Sequence, residues 1–194
     1  MQLPFFKTLS RMSGKPDDSM LRLHIGGRTA HPDWKIFDVR AAPHVDFVGH
    51  CTDLSRFESG AVDEIYASHV LEHLGYLAEL PRTLREFCRV LAPGGRLRVS
   101  VPDLDVLCAL FVDPALNLEE RVHLMRMMFG GQMYEADFHK TGLNEEFLRD
   151  FLHGAGFVEI IKTGDFDLFD DASALQFKTR RISLNIIARK PDHV

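Results

Sequence analysis

The chain has 194 residues, 45% hydrophobic and 26% charged, which suits one globular domain with a sizeable core and leaves little room for a second. A net charge of -5 and a pI near 6.0 argue against a protein held to nucleic acid by phosphate contacts. No stretch approaches the ~18 apolar residues of a membrane span and no signal peptide is read, so the expectation is a cytoplasmic protein with no membrane partner.

Residues 1–19 read as an N-terminal arm, with apolar Leu3-Pro4-Phe5-Phe6 and a polar linker over 12–18. The arm is expected to cover the domain, within the chain or across a homodimer. A single domain is expected over 20–194. Its first strands fall at Met20–Ile25, Lys35–Val39 and Val45–Gly49, followed by β-branched and aromatic runs at Glu64–Ser68 and Arg96–Val101. Between the last two, Leu77, Leu80, Leu84, Phe87, Cys88 and Leu91 share one helical face. Pro81 belongs in that helix's first turn, and Pro93-Gly94-Gly95 ends it. Strand, helix and strand make a parallel βαβ unit.

A helix over 118–129 is expected next, capped by Asn117 with Glu120 three residues on, its apolar face being Leu118, Val122, Met125 and Phe129. Another helix, over 145–153, follows Asn144 and turns Phe147, Leu148, Phe151 and Leu152 inward. Strands at Phe157–Lys162 and Ile182–Arg189 close the chain. Only nine residues separate Ile25 from Lys35, and five separate Val39 from Val45, spacings that by themselves suggest hairpins.

Several residue groups can carry chemistry. Gly26-Gly27 at the end of the first strand lets backbone N–H groups approach a ligand, and Asp38 at the end of the second can accept ribose hydroxyls. Ser68, His69, Glu72 and His73 follow the fourth strand, where open α/β sheets bind their ligands. His69 to His73 also spells His-x-x-Glu-His, a zinc-protease pattern. That pattern needs a helix and a third ligand, and here it starts at a strand end, so no metal is expected. The cysteines Cys51, Cys88 and Cys108 match no zinc or redox spacing and read as reduced thiols.

Val62–Leu74, the run Arg89-Val90-Leu91-Ala92-Pro93-Gly94-Gly95 and the strand through Pro102-Asp103 resemble class I S-adenosylmethionine-dependent methyltransferases of the type 11 kind. Phe129-Gly130-Gly131-Gln132, Asp137-Phe138-His139-Lys140 and Ile182–Asn185 resemble a short subgroup of them. The resemblance implies a Rossmann-like α/β fold, a mostly parallel seven-stranded sheet with its last strand antiparallel and its first crossover helices trimmed to loops. It implies S-adenosyl-L-methionine as cofactor. Gly26 and Gly27 would face its methionine part, Asp38 its ribose, Asp53 and Leu54 its adenine, and Ser68 and His69 the transferred methyl. The usual turn is Gly-x-Gly, and here its third position is Arg28, which either crowds the cofactor or pairs with its carboxylate.

The expected activity is methyl transfer to an oxygen or nitrogen of a small-molecule acceptor. Histidine suits a general base there. His139, oriented by Asp137 in the polar segment 129–142, and His69 are the candidates, with His24 behind them. The alternative is a methyltransferase-like scaffold without catalysis. A dinucleotide oxidoreductase would carry Gly-x-Gly-x-x-Gly, which is missing.

Overall fold

A computed structural model describes residues 21–193, so the expected arm and Met20 lie outside the described residues. Three short strands come first, β1 (Arg22–Ile25), β2 (Lys35–Asp38) and β3 (Phe47–Val48). Then come β4 (Val62–Ser68), α1 (Glu79–Val90) and β5 (Leu91–Pro102). Three helices follow, α2 (Leu104–Phe111), α3 (Leu118–Phe129) and α4 (Glu145–Gly154). The chain ends with β6 (Val158–Thr163), a small hairpin of β7 (Gln176–Phe177) and β8 (Arg180–Arg181), and β9 (Ser183–Arg189).

Seven strands form one sheet in the order β3-β2-β1-β4-β5-β9-β6. β9 runs antiparallel to β5 and β6, and the other pairs are parallel. This is the mixed Rossmann-like sheet that the resemblance implies. The hairpins suggested by spacing are absent. Nine residues can reach about 30 Å, and the strands they join are about 13 Å long, so a loop returns to the start without a helix.

Alternation divides the sheet into two faces. Leu23, Ile25, Phe37, Ile65, Val99 and Ile186 belong to the main core, which Leu84 and Phe87 of α1 and Leu148 and Leu152 of α4 complete. The opposite face, left without crossover helices, carries His24 and Tyr66. The connection between β6 and β7 covers it, where Phe166, Leu168 and Phe169 gather with Trp34 and Tyr66. Tyr66 donates its hydroxyl proton to Asp171 at 2.8 Å, tying that connection to the sheet. Towards the amino ends of the strands the same face becomes ionic, with Glu64 between Arg22, Arg96 and Arg98.

Some expectations need correcting. Leu77 precedes α1 and is exposed rather than on its apolar face. β5 starts at Leu91, and Pro93-Gly94-Gly95 forms an irregularity where the register steps from Val62–Leu91 to Glu64–Arg96. α2 is an additional helix, started by Asp103, whose carboxylate accepts the N–H groups of Asp105 and Val106. α3 has the expected bounds but the opposite face inward. Leu124 is buried with Leu107 and Leu110 of α2, while Leu118, Val122, Met125 and Phe129 stay exposed. With so little burial, α3 leans on its capping box, in which Asn117 and Glu120 exchange two 2.9 Å hydrogen bonds. Asn117→Ala should therefore cost about 1 kcal/mol of stability in urea titrations.

Candidate active site

Parallel pairing sets Ile25 beside both Phe37 and Ala67, so whatever follows β1, β2 and β4 collects at one edge of the sheet. After β1, Gly26 takes a φ of +73°, and a side chain there would strike Val70 at 2.8 Å. The turns after β1 and β4 therefore press together only because this residue is glycine. A side chain on Gly27 would likewise strike the His24 ring, at 2.8 Å. Arg28, next in the turn, is exposed.

Asp38 closes β2. Its Oδ1 accepts the Arg40 N–H at 2.7 Å, and among the described residues its Oδ2 accepts nothing. Asp53 is at the surface, where bonding by the Ser55 side chain and N–H holds its carboxyl below the usual range. Leu54 is a core residue, its N–H 3.3 Å from Glu86 and its carbonyl bonded by Arg89. Ser68 ends β4 with its Oγ buried and without a partner.

His69 follows in the left-handed region, with φ 53°, a conformation that costs a non-glycine residue energy and clusters at functional sites. Ser183 gives its own proton to the Ala172 carbonyl, so its oxygen accepts from His69 Nε2 at 3.0 Å. The lone pair of His69 therefore sits on Nδ1, 3.4 Å from a Glu72 carboxylate oxygen.

Glu72 lies in the single 3-10 turn Leu71–His73 and is buried, with neither carboxylate oxygen hydrogen-bonded. Burial pushes its pKa up to about 8. His73 gives Nδ1–H to the Phe138 carbonyl at 3.2 Å, and its ring meets that of His139 edge to face, 4.8 Å between centroids. Burial, with the neighbouring histidines, pushes both His69 and His139 down to about 4. At neutral pH these rings are uncharged.

The segment 129–142 arches over this edge. Lys140 and Thr141 both donate backbone N–H groups to the Glu72 carbonyl, at 2.8 and 3.1 Å. Thr141 donates its hydroxyl to the Leu74 carbonyl. On the far side Arg40 reaches Tyr134, 3.3 Å from the hydroxyl and over the ring. The loop thus bridges from β4 to β2. Gly130 makes the bend with φ +83°, where any side chain would overlap the Asp137 carbonyl. Asp137 accepts the Met133 N–H at 3.1 Å and so fixes the bend, making no hydrogen bond to His139.

The structure thus brings Gly26, Gly27, Asp38, Ser68, His69 and His139 to one edge. Asp53, exposed, and Leu54, buried, follow β3, which runs parallel to β2. Ser183 could not be anticipated, since it arrives from a distant antiparallel strand. Glu72 was visible as an acid beside two histidines, but its burial was not.

Residues 33–99 match the family model described as a methyltransferase domain. No curated protein matches the chain. Among solved structures, the CurJ carbon methyltransferase aligns with a TM-score of 0.54 at 18% identity, over 92% of this chain and 50% of that one. Human N-acetylserotonin methyltransferase, in complex with S-adenosylmethionine, aligns with 0.52 at 17%, over 88% and 47%. The 1,6-didemethyltoxoflavin-N1-methyltransferase of Burkholderia thailandensis, with its substrate and S-adenosylhomocysteine bound, aligns with 0.52 at 17%, over 89% and 72%. At these identities the likeness is one of fold. The chain spans about half the length of the first of these proteins.

Proposed function

We propose that the chain is an S-adenosylmethionine-dependent methyltransferase, as the methyltransferase-domain match over residues 33–99 suggests, and that it transfers a methyl group to an oxygen or nitrogen of a small molecule. Two of the structural neighbours are methyltransferases named for small-molecule substrates, which supports that acceptor class. The observation that carries the reading is the free oxygen of Asp38 at the end of β2, beside the tight Gly26-Gly27 turn and below a loop that can close the site.

The residues present suit the cofactor. Asp38 would hold the ribose, the Gly26-Gly27 turn would let the methionine part approach the backbone, and Arg28 would be available to its carboxylate. The unpartnered Ser68 hydroxyl and His69 line the face toward the acceptor. Leu54 is enclosed, so any adenine contact here falls to the exposed Asp53 turn. When bound, the sulfonium supplies an activated methyl group. The chain's own work is to align donor and acceptor and to keep water out, which the 129–142 arch does. His139 and His69 then stand against the acceptor, while Asp137 shapes the arch.

Calorimetry with S-adenosylhomocysteine tests the reading. The wild-type chain should bind it, and Asp38→Ala should lose roughly 1–3 kcal/mol of binding. A wild-type chain with no affinity for the ligand would end the enzyme reading.

A further inference from the structure

Glu72, His73 and His139 each bring one donor atom to a common point, all within 4.8 Å of one another. From this we propose a binding site for a divalent transition-metal ion of the zinc class, held by Glu72, His73 and His139.

Three observations carry it. The first is convergence from separate parts of the chain. Glu72 and His73 follow β4, and His139 arrives on the arch more than sixty residues later. The second is the Glu72 carboxylate, enclosed and, among the described residues, with neither oxygen hydrogen-bonded, its nearest polar neighbour being His69 Nδ1 at 3.4 Å. A buried polar group without a partner is costly, and a cation is a partner that would repay it. The third is the tautomer of His73. The Phe138 carbonyl can only accept, so it takes Nδ1–H and leaves the lone pair on Nε2. A carbonyl behind one ring nitrogen is the usual support for a histidine that ligates through the other.

The donor set selects the metal. Two imidazole nitrogens and one carboxylate suit zinc and its first-row neighbours, whereas magnesium and calcium prefer oxygen alone. Zinc bonds of about 2.0–2.1 Å place tetrahedral donors roughly 3.3 Å apart. The present spread therefore needs side-chain shifts on the order of 1 Å. Three protein ligands leave one position open. On the methyltransferase reading, on which this step rests, an acceptor hydroxyl or amine occupies it.

The site is not the protease arrangement that His-x-x-Glu-His suggests. His69 points Nε2 at Ser183, and the turn holding Glu72 and His73 is too short to set two histidines on one helical face. The third ligand comes from the arch, which sequence spacing does not reveal.

The test uses the full chain, purified without an affinity tag, stripped with chelator and titrated with zinc against a chromophoric competitor. Wild type should bind one equivalent. Glu72→Gln, which keeps the side chain's shape, and His139→Ala should each weaken binding at least ~10-fold. His153→Ala, at an exposed position on α4, should bind like wild type. Cobalt(II) should give the visible absorption of a four-coordinate site in wild type and lose it in Glu72→Gln. Circular dichroism confirms that the variants are folded. No stoichiometric zinc binding by wild type, or binding unchanged in both folded variants, would overturn the site. S-adenosylhomocysteine binding, measured on the same samples, separates the two readings. Ligand binding without zinc removes the metal site alone, and zinc without ligand binding upholds the site while removing the methyltransferase reading.

Discussion

Tyr66→Ala should lower the unfolding free energy by about 3–5 kcal/mol in denaturant titrations, whereas Tyr66→Phe should lose only about 1 kcal/mol. The large value follows from position. Tyr66 is fully buried at the centre of the helix-free sheet face, with ring contacts to His24, Trp34, Phe166 and Phe169. Truncation leaves a cavity under the covering connection and releases its bond to Asp171. The phenylalanine variant keeps the packing and gives up only that bond. Equal losses in the two variants would mean that the hydroxyl, and not the ring, holds the cover in place.

Acid should destabilise the protein in part through the same cluster, beside the buried His69 and His139. His24 is buried against Tyr66 and Phe169, its Nδ1 unpartnered, and burial lowers its pKa from 6.5 to about 4. Above pH 6.5 the ring is neutral in both folded and unfolded chains, and its contribution is fully present. As pH falls toward 4, the unfolded chain takes up the proton first and stability drains away, by up to about 3 kcal/mol. His24→Phe should keep the aromatic contacts and flatten this part of the curve. Stability profiles of wild type and variant between pH 7 and 4 give the comparison. Parallel profiles would show that His24 is not the acid-labile group.

Much of the sheet was legible because strands such as Val62–Ser68 are rich in β-branched and aromatic residues and are bounded by turn residues. The cap of α3 was legible because capping is local chemistry, read from Asn117 and Glu120 alone. Its buried face was not. The apolar residues of 118–129 ring the helix loosely, and tertiary contact with α2 chose Leu124 over the expected stripe. The cover over Tyr66 escaped notice for a related reason. Phe166 and Phe169 sit among aspartates in an irregular segment, with no period to read. At the candidate site, the strand-end residues followed from topology. The neighbours of His69 and His73 did not, since Ser183 and His139 reach them across more than sixty residues of chain.

The trimmed crossovers leave the sheet unequal from side to side. β1, β2 and β3 have four, four and two residues, while β4, β5 and β9 have seven, twelve and seven. Asp38 therefore stands on a rim with few ladder hydrogen bonds, and Ser68 and His69 stand on the deepest part of the sheet. Local opening is cheapest where the fewest bonds must break, so the Asp38 side of the edge is expected to open more readily than the histidine side. A ligand reaching from Asp38 to Ser68 would span both and fasten the fraying rim to the stable centre.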